Sequence, residues 1–380
     1  MVLDQIRERL DIIDEELVKL LEERLSYAPQ IAQAKIDAQA PTLDPQRERQ
    51  KLAQIARMAS PEHQDGILAL FSLIMSENKA EQLAYRARIE QSCNSPEAKT
   101  PKPAQKPFPT TASVACQGTE GAFAQQAVQT IFKAPDISFF DSFEGVIKAV
   151  ESEYCEFGVL PIENSTAGSV RAVYDLLVAH DAHIVRSLRL KVAHALLARP
   201  GTELGDIRHV VSHEQALAQC RGYLDAHGIK ASPARNTAIA AREVAASKDP
   251  GLAAIASSCC APLFGLDVVQ DEVQDVSNNY TRFIVLSKDN VIFPGANRTS
   301  LKITLPHRPG SLYRVLERIY AQNVNLLKIE SCPIPGRDFE FVFYFDLETP
   351  AGDISCEALR RSLADVCESC IFLGSYQEVL

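Results

Sequence analysis

Three cations near the N-terminus are spaced to grip a small anion. Arg24 and Lys35 are eleven residues apart. On an α-helix, eleven steps of ~100° bring them within ~20° of one face, ~16 Å apart along the axis. Two long cationic side chains at that separation converge on a small dianion. Arg7 precedes Lys35 by 28 residues, ~42 Å on one straight helix. If it serves the same anion, it comes from a second copy of the chain. Asp44, Arg47 and Glu48 cluster at a helix start, and Asn78 and Gln82 stand i, i+4, on one helical face. Each has a structural alternative. Arg24 also fits a buried ion pair or a helix-end arginine snorkelling to solvent. Glu48 suits the helix dipole, and polar amides on an apolar helix are commonly solvated.

These residues need long helices to position them. Leu3, Leu10, Leu17, Arg24 and Ile31 recur every seven residues, with Ile6, Ile13, Leu20, Tyr27 and Ala34 as a second register. The pattern predicts one coiled-coil-like seam over residues 3–36, with Arg24 on it. Asp44-Pro45 supplies an N-cap and a proline at the first helical position of a second helix. A third is expected from Pro61 to Glu90.

A second set of polar residues sits on an alternating strand–helix pattern from Ala112 to about Leu286, an α/β signature. Residues 92–110, proline-rich and polar, read as a linker between independent parts. The linker implies that a product of one part is released into solvent before reaching the other. Gly118-Thr119-Glu120-Gly121 follows a strand and opens a helix whose N–H groups make an anion site; nucleotide-binding glycine motifs are absent. Glu163 and Asn164 end a strand, where α/β sheets bind ligands. Glu163, if buried, has a raised pKa and can pass a proton. Ser212 is either an N-cap or a ligand, Gln219 lies on the next helix, and Thr281 and Arg282 open a late strand. There is no G-x-S-x-G elbow, and Cys220 with His213 reads as packing rather than a nucleophile.

After residue 298 the elements run βαββαβ, a ferredoxin-like order. Hydrophobic residues are 46% and charged residues 23% of 380, with a net charge of −10. That excludes a disordered chain and argues against nucleic acid as partner. No signal peptide or membrane span is expected. Cysteines and histidines lack a metal-ligand arrangement, so the expectation is thiols in a reducing cytoplasm, no metal and no cofactor.

Over residues 3–90, Arg7, Arg24, Lys35, Asp44, Arg47, Glu48 and Gln82 stand at the spacings of the all-helical chorismate mutases. The resemblance implies an intertwined dimer. Arg24, Arg47 and the partner's copy of Arg7 would hold substrate carboxylates, Lys35 and Gln82 the ether oxygen, and Asp44 and Glu48 the hydroxyl region. Asn78 stands where enteric relatives carry serine. The runs GTEGAF, SFEGVIKAVE, GVLPIENSTAGSV, SHEQALAQC, NTAIAA and NNYTRF over 112–285 resemble prephenate dehydratase. That implies two lobes of periplasmic-binding-protein type, with Thr281 as proton donor, Glu163, Asn164, Ser212 and Gln219 in the cleft, and Arg282 binding a carboxylate or supporting the site. HRPGSLYRVLE and KIESCPIP resemble the phenylalanine-binding ACT domain, implying an effector site at Gly310, Ser311, Leu312, Glu330 and Ser331. Cys332 replaces that motif's arginine, which points to altered effector affinity.

The expected chain is therefore multidomain: all-α mutase helices (1–91), a linker (92–110), an α/β dehydratase (111–288, second lobe about 190–265) and an α+β regulatory domain (298–376). It would act on chorismate and then prephenate, under inhibition by L-phenylalanine, as a homodimer or larger. Arogenate in place of prephenate, or a non-catalytic amino-acid sensor, are the competing readings.

Overall fold

The computed structural model describes residues 3–38, 40, 44–90, 102–103, 107–334, 340–348, 359, 363 and 366–379. Most of the expected linker lies outside these, as does most of residues 349–365, the stretch that would hold the second helix of the βαββαβ order. The chain divides into two compact units, one helical and one built on sheets.

The helical unit contains α1 (Leu3–Ser26), α2 (Ala28–Asp37), α3 (Pro45–Met58) and α4 (Gln64–Glu90). The single helix expected over 3–36 is broken after Ser26. Pro29 lies in the first turn of α2; it has no N–H to give and its ring crowds the carbonyl four residues back. Asp44 caps α3 as expected, accepting from the Arg47 N–H at 2.9 Å, with Pro45 first in the helix. The third expected helix starts later, at Gln64, after a turn over 61–63. None of the side chains of α1 is buried. Leu3, Leu10, Leu17 and Leu20 are each half or more exposed (59%, 52%, 50% and 62%), so the seam read from the sequence faces outward in a single chain.

The second unit opens with β1 (Lys102–Pro103), then β2 (Thr111–Gln117), α5 (Phe123–Ile131), β3 (Ala134–Phe140), α6 (Phe143–Glu151), β4 (Phe157–Asn164), β5 (Gly168–Ser169), α7 (Arg171–Ala179) and β6 (His183–Lys191). A second lobe follows: β7 (Ala195–Ala198), β8 (His209–His213), α8 (Glu214–Gln219), α9 (Arg221–His227), β9 (Lys230–Ala234), α10 (Thr237–Ala246), β10 (Leu252–Ala256), α11 (Cys260–Phe264) and β11 (Asp267–Gln270). Its sheet order is β11-β7-β10-β8-β9, with β8, β9 and β10 parallel. The chain returns through β12 (Tyr280–Ser287), which lies antiparallel between β4 and β6. Apolar runs such as Val159-Leu160 and Ile284-Val285-Leu286, all 0% exposed, suit strands covered on both faces.

After β13 (Val291–Ile292) come β14 (Arg298–Thr304), α12 (Ser311–Ala321), β15 (Asn325–Pro333), β16 (Phe341–Glu348) and β17 (Ser369–Val379). The order β15-β16-β14-β17 is that of a ferredoxin-like sheet. The last strand runs eleven residues, because its end leaves β14 and pairs in parallel with β6 through Gln377, Glu378 and Val379. Gly374, where β17 changes register, has no room for a Cβ: one would lie 1.9 Å from the Ile184 carbonyl oxygen. The C-terminal sheet thus continues the dehydratase-like sheet. Tyr344, Leu373 and Tyr376 share a core with Leu160, Tyr174 and Ile284.

Candidate active sites

In the helical unit a cavity of 350 Å³ is lined by Arg24, Lys35, Asp44, Arg47, Glu48, Asn78 and Gln82, with Ile31 and Met75 as its apolar wall. A chain of polar contacts sets the geometry. Lys35 Nζ donates to Gln82 Oε1 at 3.0 Å, Gln82 Nε2 to Asn78 Oδ1 at 2.6 Å, and Asn78 Nδ2 to the Arg24 carbonyl at 3.4 Å. The Arg24 guanidinium donates to the Ile74 carbonyl at 3.3 Å, and burial pulls its pKa down. It faces the cavity rather than snorkelling to solvent, and has no ion-pair partner among the described residues. The amides of α4 are not solvated either; Gln82 is 4% exposed. Glu48 pairs with Lys79 at 2.9 Å. Lys79 and Lys51 also line the cavity; neither was singled out in the sequence, although Lys79 stands i+1 from Asn78 on the same helix. Arg7 does not join them. It pairs with Asp4 at 3.7 Å and stays exposed.

In the second unit a cleft of 340 Å³ lies between the lobes, lined by Asn164, Thr281, Gln219, His194, Arg235, Phe123 and Phe143 among others. The N-terminal ends of α5 (Ala122, Phe123) and α10 (Asn236, Thr237) face it; Asn236 caps α10 by accepting from the Ile239 N–H at 2.7 Å, and the positive ends of both helices favour an anion there. A closed polar ring underlies Thr281. Asn164 Nδ2 donates to Thr281 Oγ1 at 2.9 Å and to Asn279 Oδ1 at 2.8 Å. Asn279 Nδ2 donates to Gln219 Oε1 at 3.2 Å, Gln219 Nε2 to Thr166 Oγ1 at 3.0 Å, and Thr166 Oγ1 to Asn164 Oδ1 at 2.7 Å. With Asn164 occupying an acceptor lone pair of Thr281, the threonine proton is left to point elsewhere.

His194 completes this arrangement. Its Nε2 lies 2.9 Å from Gln219 Oε1, and burial holds its pKa below the usual value against that hydrogen bond. It is therefore a neutral donor fixing the Gln219 amide. The sequence reading passed over His194, Asn279, Thr166 and Arg235. Asn279 stands in the quoted NNYTRF run and Thr166 in ENSTAG, so proximity to recognised residues was the available signal.

Two expected cleft residues, Glu163 and Ser212, are elsewhere, and Arg282 takes the second of its two expected roles, support of the site. Glu163 and Arg282 are the strand neighbours of Asn164 and Thr281, and successive side chains on a strand face opposite ways. Both line a separate cavity of 570 Å³ with Arg189 and Tyr280. There Glu163 Oε1 meets Lys328 Nζ at 2.9 Å. Arg282, 8% exposed, donates to Asp346 and, at 2.7 Å, to the Tyr376 hydroxyl, with Glu378 at 3.2 Å. Arg282 is thus a support of the sheet rather than a carboxylate ligand, and Glu163 is not placed to relay a proton to Thr281. Ser212 is buried, donating to the Ile255 carbonyl; the cap of α8 is His213, which accepts from the Gln215 N–H.

In the C-terminal sheet, Gly310 takes a left-handed conformation (φ +83°) just before Ser311 and Leu312 start α12. Glu330 accepts from the Ser169 hydroxyl at 2.6 Å, and Lys328 Nζ donates to Ser169 Oγ at 2.8 Å. Cys332 is 2% exposed among Val342, Tyr344 and Leu373. A thiol, among the side chains most often buried, suits that apolar interior.

Comparison with known proteins matches both units to known families. Residues 6–83 match the chorismate mutase type II family and residues 114–291 the prephenate dehydratase family. The bifunctional chorismate mutase/prephenate dehydratase of Aquifex aeolicus is 30% identical, the match covering 100% of this chain and 98% of that protein. An arogenate dehydratase/prephenate dehydratase of Arabidopsis thaliana is 37% identical over 69% of this chain and 72% of its own. The structure of prephenate dehydratase from Arthrobacter aurescens in complex with L-Phe superposes with a TM-score of 0.64 at 29% identity, covering 70% of this chain and 89% of that one. A cationic cavity in the helices and a threonine-centred cleft between the lobes thus occur together in one chain whose full length is matched, and the chain belongs to the family of bifunctional chorismate mutase/prephenate dehydratases.

Proposed function

We propose that the two sites work in succession, with Lys35, Gln82 and Thr281 carrying the chemistry and the C-terminal sheet reporting L-phenylalanine to the second site. In the first, Arg24 and Arg47 bind the carboxylates of chorismate, Lys35 and Gln82 bind its ether oxygen, and Asp44, Glu48 and Asn78 meet the hydroxyl region. The rearrangement needs a fixed compact conformer and positive charge where the ether oxygen turns negative; the Lys35–Gln82 pair supplies the charge. The outward α1 seam supports a dimer in which the partner's α1 brings its own Arg7. Burying exposed leucines at heptad spacing is a strong drive to associate.

In the second site, Arg235 and the N-terminal ends of α5 and α10 bind the carboxylates of prephenate, and Thr281 protonates its leaving hydroxyl. Decarboxylation with loss of water yields an aromatic ring, so a modest, well-aimed acid suffices. Arg235 pairs with Asp141 at 3.1 Å at the cleft, so a carboxylate stands beside the binding guanidinium, and prephenate is taken as the substrate on the family match.

The regulatory reading rests on the ferredoxin-like order, the left-handed Gly310 turn and the L-Phe complex of the Arthrobacter relative. The effector meets Gly310, Ser311, Leu312, Glu330 and Ser331. Lys328 is the physical link: it touches Glu163 on β4 and Ser169 on β5, and lies 3.8 Å from Glu330. Asn164, next to Glu163, holds Thr281 from the other face of the sheet. Lys328→Met is expected to weaken inhibition by phenylalanine ~5–150-fold, the range of typical coupling energies, while the uninhibited dehydratase rate stays within about threefold. Titrating the dehydratase with phenylalanine reads this directly; an unchanged inhibition curve would remove Lys328 from the path. Free thiols such as Cys116, Cys155 and Cys220 suit a cytoplasmic, reducing location.

One incubation tests the whole reading. The purified chain with chorismate alone is expected to form phenylpyruvate, less of it when phenylalanine is added. Prephenate accumulating without phenylpyruvate would point the cleft to arogenate, and no loss of chorismate would overturn the mutase site.

A further inference from the structure

The chain crosses between the two lobes of the dehydratase twice, once between β6 and β7 and once between β11 and β12. His194 stands on the first crossing and Asn279 on the second, 2% and 1% exposed. The crossings are tied together. The Val192 N–H donates to the Asn279 carbonyl at 2.8 Å, the Val273 N–H to the His194 carbonyl at 2.9 Å, and the His194 N–H to Gln274 Oε1 at 2.8 Å. Both side chains converge on Gln219 Oε1, His194 Nε2 at 2.9 Å and Asn279 Nδ2 at 3.2 Å.

Two backbone groups set the direction of these hydrogen bonds. The Thr166 and Ala167 N–H groups meet Asn164 at 3.0 and 2.9 Å, and a backbone N–H can only donate. The atom they meet is therefore Oδ1, and Nδ2 turns to Thr281 and Asn279. Asn279 then accepts with Oδ1 and donates with Nδ2, so Gln219 accepts with Oε1, and His194 carries its proton on Nε2. The other histidine tautomer would set a bare nitrogen against a carbonyl oxygen. It would also bury an N–H at Nδ1, which has no partner among the described residues.

We propose that His194 is a positioning residue of the dehydratase: with Asn279 it fills both acceptor sites of Gln219 Oε1, so that Gln219 can offer the substrate only an N–H. The amide inventory carries this. Gln219 has two acceptor lone pairs and two donor hydrogens. His194 and Asn279 take the lone pairs, Thr166 Oγ1 takes one hydrogen at 3.0 Å, and one hydrogen is left on a side chain that lines the cleft. A donor suits the carboxylate or hydroxyl oxygens of the substrate proposed above, on which reading this assignment rests. Without His194, Gln219 is held from behind by Asn279 alone, through the longest link of the ring. Its amide is then free to turn and present an oxygen to an anion. Burial keeps the imidazole neutral near pH 7, so the orientation is achieved without adding a buried charge.

The test uses the full chain with added prephenate. His194→Phe keeps a ring to meet Phe123, which lies edge-on at 5.6 Å, and removes the donor. It is expected to raise KM about 10-fold, the worth of one net hydrogen bond, with kcat within about threefold, the signature of lost ground-state binding. His194→Gln restores an N–H and should recover most of the loss. In a Gln219→Met background, His194→Phe should change KM less than about twofold, because no amide remains to orient. An unchanged KM in His194→Phe, or the full effect persisting beside Gln219→Met, overturns the proposal. A parent chain inactive on prephenate would instead overturn the assignment of the cleft. Should the phenylalanine variant fold poorly, nitrogen-15 spectra of the histidine rings in the unmutated chain decide, with His194 identified as the ring missing from His194→Gln. Near neutral pH it is expected as the Nε2–H form; the Nδ1–H form or an imidazolium overturns the proposal.

Discussion

Lys35→Met lowers mutase kcat roughly 10²–10³-fold, the effect of removing one preorganised donor from a developing oxyanion, and leaves dehydratase activity on added prephenate intact. Lys35 Nζ lies 3.0 Å from Gln82 Oε1 inside the 350 Å³ cavity. A thousandfold loss corresponds to about 4 kcal/mol. One charge at ~4 Å from a full negative charge gives ~4 kcal/mol at an effective dielectric of about 20, so this single ammonium can account for the loss. Methionine keeps the unbranched apolar stem that packs in the helix pair, which isolates the charge. Lys35→Arg is not expected to rescue, because a planar fork does not reproduce a compact point charge in a cavity of that size. The dehydratase serves as an internal control for folding. A mutase kcat within about fivefold of the parent would remove Lys35 from the chemistry.

How far the helical site was legible follows from period. Helical spacing places Arg24 and Lys35 on one face of a single helix; in the structure they stand on α1 and α2, on either side of the break, and still line the same cavity. The break at Tyr27 was missed because heptad positions continue through it; Pro29 was the local signal, and a proline within the first turn starts a helix as readily as it ends one. The outward seam was legible as apolar, but the sequence does not state what covers it. Lys79 and Lys51 were not legible as site residues because lysines at helix surfaces are usually solvated.

In the dehydratase-like cleft the placements of Glu163 and Arg282 have one cause. The strand period of two forbids Glu163 and Asn164, or Thr281 and Arg282, from sharing a face. The register pairs Thr281 with Asn164 and Arg282 with Glu163, one pair per face. Recognised runs such as PIENST and NNYTRF identify a neighbourhood but do not sort its two sides. The partners of Glu163 and Arg282, namely Lys328, Asp346 and Glu378, stand in the C-terminal strands, far away in sequence, so nothing local announced them. The long β17 was hidden for the same reason: its pairing with β6 is a tertiary contact that no short window contains.

Thr281→Val therefore gives the sharper test of the second site. It is expected to lower dehydratase kcat roughly 10²–10⁴-fold, the range for a lost general acid, while the mutase keeps its rate. Valine matches threonine in shape, and Asn164 Nδ2 still has Asn279 Oδ1 at 2.8 Å and the Tyr280 carbonyl at 3.3 Å. The stability cost should stay near ~1 kcal/mol, below that of an orphaned buried donor. Thr281→Ser retains the hydroxyl and should recover most of the rate, which a purely structural role would not require. Glu163→Gln separates the two acid models. If Thr281 acts without Glu163, the glutamine variant keeps kcat within about tenfold of the parent, since general acid catalysis is worth 10² or more, and keeps the shape of the pH profile. Lys328 then retains Ser169, and Arg282 retains Asp346 and Glu378. If instead Glu163→Gln falls as far as Thr281→Val and loses a limb of the pH profile, the carboxyl must reach the cleft during turnover. The face-by-face division of labour across β4 and β12 would then be wrong.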